Sequence, residues 1–212
     1  MAIFSKKDAA SSFPIDEATP FVPTKAVYIQ EATEFALSIT ITDVTASVAT
    51  HLSPDIQPSL LEGAKSAAST SSPTIKLTRP NRLSRSWTAT NPSGATVADL
   101  SNPIWSLGKW IIKFPANSPH SEHDIQLRPA SAASRADEFV KDSVPFFWDL
   151  IDGRKLIKLY RALDGKKVEV ARFLGENVRA QEGVLLVGEG VDDVVAVLTV
   201  FGALNRLESF RA

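Results

Sequence analysis

The C-terminal stretch from Asp192 to Phe210 (DDVVAVLTVFGALNRLESF) restricts the fold more than any other part of the chain. Between Val194 and Leu204 only Thr199 and Gly202 are not plainly apolar, so a helix here has no polar face. A helix that is apolar all round is buried in protein or in a membrane. The apolar run is too short for a membrane span, which needs about 20 residues. We therefore predict a helix enclosed by protein, with carboxylates at the positive end of its dipole.

Upstream of this helix the sequence predicts short strands separated by turns. Apolar and polar residues alternate within short segments, and proline or glycine residues separate one segment from the next. The turns Asn91–Gly94 and Asp164-Gly165 each indicate a hairpin. The helical spacing of the leucines in Arg154–Leu163 also fits a helix, but the Asp-Gly turn that follows favours a strand. The predicted strands are Lys25–Ile29, Leu37–Thr42, Thr74–Leu77, Ser86–Thr90, Thr96–Leu100, Lys109–Phe114, Asp124–Arg128, Pro145–Leu150, Arg154–Leu163, Lys166–Phe173 and Gly183–Glu189.

Strands followed by one apolar helix predict a mainly β fold, an antiparallel sheet closed into a barrel around a buried C-terminal helix. The small-polar run Ser66–Pro73 (SAASTSSP) indicates a linker. We therefore predict an N-terminal extension over 1–72, with a mobile tail over 1–23 and a short helix at Ser59–Ala68. The barrel domain is predicted over 73–212, with its central helix over 192–210.

Three stretches resemble the tubby C-terminal-like superfamily, in particular its LURP-one-related branch. They are Ser86–Leu100 (SWTATNPSGATVADL), Arg154–Phe173 with its RALDGKKVEVARF, and Gly190–Leu207 (GVDDVVAVLTVFGALNRL). The resemblance covers roughly residues 73–212. It implies a closed barrel with a hydrophobic helix through the middle, and it implies no enzyme activity. The resemblance to tubby proteins also implies binding of phosphoinositide head groups through basic side chains on the barrel wall.

The residues offer little for catalysis, metal ions or cofactors. There is no cysteine, which excludes disulfides and thiol chemistry. Gly188-Glu189-Gly190 lies between a strand and a helix, but a dinucleotide fingerprint needs a third glycine and a returning strand. His120 and His123 are too few for a zinc site or a Ser-His-Asp triad. We expect no enzyme activity, cofactor or metal, although paired carboxylates leave an acid/base enzyme open.

Basic residues concentrate in the middle of the chain. The net charge is −1, yet residues 73–179 hold 17 basic and 11 acidic side chains, a local charge of +6. Arginine forks suit phosphate geometry, so we predict a patch that meets anionic phospholipid head groups; the alternative is a solvated barrel face. The candidate phosphate- or lipid-binding residues are Arg79, Arg82, Arg85, Arg154, Lys155, Lys158, Lys166 and Lys167.

Further expectations concern packing, partners and location. The four tryptophans are predicted to pack in the barrel. Protein partners fit a non-catalytic interaction module, whereas basic stretches without interleaved aromatics disfavour nucleic acid. The N-terminus MAIFSKKDAASSF has no apolar secretory core, which predicts a cytoplasmic or nuclear protein, peripheral at a membrane if the patch binds lipid. The alternative function is a small-molecule carrier or enzyme with a pocket at the barrel mouth, which an interior cavity of a few hundred Å³ would favour.

Overall fold

Within the residues that the computed structural model describes (13–30, 36–53, 58–106, 108–130, 136–152, 156–177 and 182–209), twelve antiparallel strands form a closed barrel. Each strand pairs with its neighbours in sequence, and the first pairs with the last. The predicted barrel around a C-terminal helix is therefore confirmed. The strands are β1 (Pro23–Ile29), β2 (Ser38–Asp43), β3 (Ile75–Thr78), β4 (Ser86–Thr90), β5 (Thr96–Ser101), β6 (Trp110–Lys113), β7 (Ile125–Pro129), β8 (Asp137–Lys141), β9 (Val144–Asp152), β10 (Leu156–Leu163), β11 (Lys166–Asn177) and β12 (Glu182–Gly188).

The barrel closes through strands that come from the predicted N-terminal extension. β1 pairs with β12 from Pro23 opposite Gly188 to Ile29 opposite Gly183, and β2 pairs with β3. The predicted boundary at residue 73 therefore does not separate an extension from the barrel. Without β1 and β2, the edges of β3 and β12 would expose unpaired backbone groups, which sheet proteins avoid.

The small-polar run interpreted as a linker is largely helical. Helix α1 (Pro58–Thr70) includes Ser66 to Thr70, and it lies outside the barrel. Its Leu60 and Ala64 pack with Val184 and Leu186 of β12 in a second apolar cluster. Every residue of β12 is buried because α1 covers its outer face and the barrel interior covers its inner face.

The N-terminal segment is fixed to the barrel over its described part, contrary to the predicted mobile tail. Asp16 N–H donates to the carbonyl of Lys167 at 2.9 Å, and Lys167 N–H donates to the carbonyl of Pro14 at 2.8 Å. Phe21 is buried in the same outer cluster as α1. The residues before 13 lie outside the described part of the chain.

The C-terminal helix α2 (Asp193–Ser209) fills the barrel, and its two non-apolar residues in the apolar run each have a packing role. The hydroxyl of Thr199 accepts from Nε1 of Trp148 at 3.1 Å and donates to the carbonyl of Val195 at 2.7 Å. Gly202 allows a close approach, because a Cβ there would lie 2.8 Å from Cδ2 of Leu127. The helix is thus buried on every side, as its composition predicts.

The remaining strand predictions agree with the structure, with one omission. β8 (Asp137–Lys141) was not predicted, because DEFVK does not alternate apolar and polar residues. Arg154–Leu163 contains strand β10 from Leu156, not a helix. Both predicted hairpin turns form, with Gly94 and Gly165 at φ of 82° and 75°.

Candidate functional site

The two predicted basic clusters lie at opposite ends of the barrel. Because successive strands run in opposite directions, every second connection lies at the same end. The β3–β4 connection, with Arg79, Arg82 and Arg85, lies at one end. The turn between β10 and β11, next to Lys166 and Lys167, lies at the other end. The structure therefore does not bring the eight predicted residues into one site.

The lysines of the β10–β11 hairpin are neutralised by neighbouring carboxylates. Lys158 Nζ lies 2.7 Å from Glu169 Oε2, and Lys166 Nζ lies 3.6 Å from Asp16 Oδ1. Lys167 is 5% exposed, because the N-terminal segment covers it. Its ammonium lies 3.6 Å from Asp149 and 4.9 Å from the centre of the Phe147 ring. Lys158 and Lys166 are thus paired, and Lys167 is buried rather than exposed to a lipid surface as predicted.

Arg79 also has a structural role. Its Nε donates to the carbonyl of Ala36 at 2.8 Å, and its guanidinium lies 4.8 Å from the centre of the Trp87 ring. The predicted candidates Arg154 and Lys155 lie outside the described residues. Of the eight candidates, Arg82 and Arg85 are therefore the described residues that present a charge to solvent without an ion pair among the described side chains.

Arg82 and Arg85 belong to a surface with three exposed apolar side chains. The fractional exposure is 93% for Leu83, 67% for Ile104 and 94% for Trp105. The two loops that carry them meet where Asn102 N–H donates to the carbonyl of Arg85 at 3.0 Å. We call this surface the Trp105 patch and define it as Arg82, Leu83, Arg85, Ile104 and Trp105.

Local turns hold the apolar side chains of the Trp105 patch outward. The Asn81 side-chain oxygen accepts from the N–H of Leu83 at 3.0 Å, an Asx turn. In the other loop, Ser106 donates its backbone N–H to the carbonyl of Pro103 at 3.0 Å. The N–H of Lys109 in turn donates to the carbonyl of Ser106 at 3.1 Å. The exposed side chains therefore stand on hydrogen-bonded turns, which lowers the entropy cost of presenting them to a partner.

Trp105 is exposed, contrary to the prediction that all four tryptophans pack in the barrel. Trp87, Trp110 and Trp148 are 5%, 4% and 1% exposed, and they pack in the barrel as predicted. Trp105 lies two residues after Pro103 and outside any segment of alternating apolar and polar residues. This position could have predicted that Trp105 lies in a loop. An exposed tryptophan needs an explanation because large apolar residues on a surface frequently mark an interaction site.

Charge separates this end of the barrel from the other. Residues 79–85 and 102–109 contain three arginines, one lysine and no acidic residue. The short connections at the opposite end (91–95, 114–124, 142–143, 164–165 and 189–192) contain no lysine or arginine. They hold six carboxylates: Glu122, Asp124, Asp142, Asp164, Glu189 and Asp192. These connections are basic at one end and acidic at the other, and we call the two ends the basic end and the acidic end.

At the acidic end, the charged groups around the start of α2 pair with each other or cap the helix. Asp192 Oδ1 accepts from the N–H of Val195 at 2.9 Å and caps the helix, while its Oδ2 lies 3.0 Å from Nδ1 of His120. Lys25 forms ion pairs with Asp193 and with Asp43. Burial lowers the pKa of Lys25, but these carboxylates more than compensate, so the pKa is raised above its ordinary value.

Neither a metal site nor a dinucleotide site is found at this end. Within the described part of the chain, no three His, Asp or Glu side chains come close enough to hold a metal ion. Gly190, at φ of 92°, turns the chain from β12 into the N-terminus of α2. The helix then enters the barrel, so the Gly188–Gly190 segment serves as a strand-to-helix turn.

The barrel interior is filled by α2, whose residues from Val195 to Leu204 are buried. Where α2 enters the barrel, the described residues leave a hollow of about 110 Å³ beside Lys25 and Asp193. Small-molecule sites usually have a few hundred Å³ or more. A hollow of this size does not favour the alternative of a carrier or enzyme with a pocket at the barrel mouth.

Comparisons with known proteins support the architecture. No family model matches the chain, and no curated protein sequence matches it significantly. An X-ray structure of a protein from Arabidopsis thaliana, AT5G01750, is similar, with a TM-score of 0.51 and 12% sequence identity. The match covers 88% of this chain and 93% of the other. At this identity the similarity shows the fold alone. In the described residues, no helix has both the length and the apolar content to cross a membrane.

Proposed function

We propose that this protein is a non-catalytic, tubby-like binding module that docks on an anionic phospholipid surface through its basic end. The observation that carries this proposal is the Trp105 patch, in which Trp105, Leu83 and Ile104 are exposed beside Arg82 and Arg85. This assignment keeps Arg82 and Arg85 of the three predicted arginines in the β3–β4 connection. It replaces the predicted lysines of the β10–β11 hairpin, which are paired or buried.

Charge is the first argument for an anionic surface. A basic side chain near such a surface contributes about 1 kcal/mol, and arginine forks bind phosphate oxygens in a bidentate manner. Arg82 and Arg85 have no carboxylate partner among the described side chains, so they lose no ion pair on docking. The six carboxylates of the acidic end favour the same orientation, with the basic end towards the lipid, because an anionic lipid surface repels them.

The apolar side chains provide the second argument. Full burial of a large apolar side chain contributes about 1.5–3 kcal/mol, and tryptophan favours the interface between water and lipid tails. Stable attachment of a peripheral protein takes two signals, such as an apolar anchor and a basic patch. The Trp105 patch has both, whereas a nucleic-acid surface would require aromatic side chains interleaved with the basic ones.

The test uses Trp105 as its own reporter. The full chain is titrated with vesicles of phosphatidylcholine alone, with 30 mol% phosphatidylserine, and with phosphatidylinositol bisphosphate at matched charge. Trp87, Trp110 and Trp148 are buried, so a blue shift of the emission on binding reports Trp105. We expect binding to both anionic vesicles and weak binding to phosphatidylcholine. A preference for the bisphosphate at equal charge would identify a phosphoinositide module.

Matched variants assign the binding to the patch. Trp105→Phe should abolish the blue shift while sedimentation still detects binding. Leu83→Ser with Ile104→Ser should weaken binding at least tenfold. Leu163→Ser is the control, because Leu163 is also exposed (45%) but lies at the acidic end. Equal binding to neutral and anionic vesicles, or no effect of the paired serine substitutions, would contradict the proposal and favour a protein partner.

A further inference from the structure

The barrel wall opens between β7 and β8. These strands pair only at Arg128 with Glu138 and at Pro129 with Asp137. The other three residues of β8, Phe139 to Lys141, pair with β9 on the other side but have no partner in β7. Every other neighbouring pair of strands has at least three partnered positions within the described residues. The wall is therefore least closed at this place.

A cleft of about 520 Å³ occupies this opening. Its volume lies within the usual range for small-molecule sites. Its apolar lining includes Phe139, Val140 and Phe147, and Phe13 of the N-terminal segment lies beside Phe147 with ring centres 5.9 Å apart. Val140 is 55% exposed, so an apolar surface remains open to a ligand.

The charged lining is slightly acidic after its ion pairs are counted. Arg128 pairs with Glu138 at 2.9 Å, and Lys141 pairs with Asp142. Asp124 also lines the cleft, and no ion pair to a described residue engages it. The lining therefore has three carboxylates and two lysine or arginine side chains. A ligand that carries a positive charge fits this balance better than an anion does.

Glu138 has an unused acceptor in this lining. The residue is 9% exposed, and its Oε1 accepts both contacts from the Arg128 guanidinium. Its Oε2 is buried and has no hydrogen-bond partner among the described residues. A buried carboxylate oxygen without a donor is costly, and a donor group on a ligand would remove that cost.

The β8–β9 turn at the rim of the cleft has a serine at positive φ in its second position, where the β10–β11 turn has a glycine. Asp142 and Ser143 adopt φ of 50° and 64°, which side chains other than glycine rarely do. The other two-residue hairpin uses Asp164-Gly165, where glycine takes the second position without strain. Such strain concentrates at ligand sites in proteins.

We propose that the β7–β8 cleft binds a small organic cation, an ammonium group carried on an apolar body. The ammonium donates to Glu138, with Asp124 close by, and the apolar body packs on Phe139, Val140 and Phe147. This site is separate from the Trp105 patch, since the cleft lies along the outer wall towards the acidic end. Its ligand therefore does not compete with a membrane for the same residues.

The experiment compares three probes of similar size and different charge: 2-phenylethylammonium, 2-phenylethanol and phenylacetate. Titrations of the full chain are followed by ¹H–¹⁵N NMR. We expect 2-phenylethylammonium to bind about tenfold more tightly than 2-phenylethanol, because a charge-assisted hydrogen bond is added. Phenylacetate should bind most weakly. Shifts should concentrate on β7, β8 and the 142–143 turn. Absence of binding by the ammonium, or equal binding of the three probes, would overturn the proposal.

Two pairs of variants test whether binding depends on the cleft or on the protein surface in general. Glu138→Gln should remove the advantage of the ammonium over the alcohol, whereas Glu122→Gln, at an exposed position outside the lining, should retain it. Val140→Trp should fill the cleft and weaken binding of both probes at least tenfold. Leu163→Trp, also at an exposed apolar position, should not. Melting temperatures confirm that each variant is folded. Unchanged binding in both Glu138→Gln and Val140→Trp would overturn the proposal.

Discussion

The basic end and the acidic end of this barrel use similar residue types in opposite ways. At the acidic end, Asp192 caps α2 and contacts His120, and Lys25 is held between Asp193 and Asp43. At the basic end, Arg82 and Arg85 extend into solvent beside Leu83, Ile104 and Trp105. At the acidic end the charges around the start of α2 are paired within the molecule, whereas the basic end presents charge and apolar surface together.

The difference between the ends teaches how to separate structural charges from those available to a partner. The sequence alone does not distinguish Lys166 from Arg82, because each lies in a local cluster of cations beside a predicted turn. Their surroundings differ: Asp16 lies 3.6 Å from Lys166, and no described carboxylate pairs with Arg82. A local excess of positive charge therefore identifies candidates, and only the geometry of nearby carboxylates decides among them.

The largest expected effect concerns α2, which supports both ends. Phe201 is 1% exposed, and its ring meets those of Trp87 and Trp110 edge-on at 5.3 and 5.6 Å. Phe201→Asp should abolish folding, since a buried charge without a partner costs more than the roughly 5–15 kcal/mol that stabilises a domain. Circular dichroism melting measures this. Leu163→Asp, at an exposed position, should melt cooperatively; a cooperative Phe201→Asp variant would refute the central role of α2.

The next effect concerns an ion pair buried inside the basic end. Arg206 Nε lies 2.6 Å from Asp137 Oδ1, and both side chains are almost fully buried. Burial raises the pKa of Asp137 to about 6, although Arg206 opposes this increase. A carboxyl whose pKa is higher in the folded than in the unfolded protein stabilises the fold at low pH. That contribution is lost as the pH rises through about 6.

Arg206→Met should therefore destabilise the protein in a pH-dependent manner. At pH 7.5 it leaves a buried carboxylate without its cation, which costs about 3–5 kcal/mol. At pH 5 the cost should be less than half as large, because Asp137 is protonated. Urea unfolding at the two pH values measures both. Lys166→Met, which breaks an exposed ion pair, should cost under about 1 kcal/mol. Equal destabilisation by Arg206→Met at both pH values would contradict the raised pKa.

The third effect compares the two predicted basic clusters directly. Arg85→Glu and Lys166→Glu change the net charge equally but at opposite ends of the barrel. At about 1 kcal/mol per charge, Arg85→Glu should weaken binding to phosphatidylserine vesicles about 30-fold at low salt. Lys166→Glu should weaken it less than about threefold. Sedimentation with vesicles measures both constants, and equal losses would mean that net charge, not the Trp105 patch, directs binding.

The smallest effect tests the acidic end. Asp192→Ala removes the side-chain cap on the N–H of Val195 and the contact with His120. Loss of a helix cap typically costs about 1 kcal/mol. Asp192→Asn keeps a capping oxygen and should recover most of that loss in urea unfolding. Vesicle binding should be unchanged in both variants, because the proposed surface lies at the other end.

Much of the architecture could be predicted from periodicity. Because α2 is apolar on all sides, it had to be surrounded by other parts of the protein. The alternating segments and their turn residues predicted that these parts are strands. β8 could not be predicted, because its outer face reverses the usual pattern: Val140 is exposed, while Glu138 is largely buried in its ion pair with Arg128. The polar run Ser66–Pro73 was misinterpreted for a similar reason. Its helical part depends on Leu60 and Ala64, which gain their packing partners only from β12.

The candidate sites were less predictable than the fold. The arginines of the Trp105 patch were found from charge, but Trp105 was assigned to the core because tryptophan is usually well buried. The cleft between β7 and β8 left no pattern in the sequence, since it results from where two strands stop pairing. Strand register and the distance between side chains are set by contacts between residues far apart in the chain.

The sequence by itself determined that α2 must be enclosed and that the enclosing structure is built from strands. Both follow from local properties: the absence of a polar face on a helix, and the alternation that a pleated strand imposes. Tertiary structure alone decided that β1 closes the barrel, that Lys167 is buried and that Arg82 remains open to solvent. Each of these outcomes depends on which distant segment lies against the residue, because pairing and burial are properties of neighbours in space rather than of neighbours in sequence.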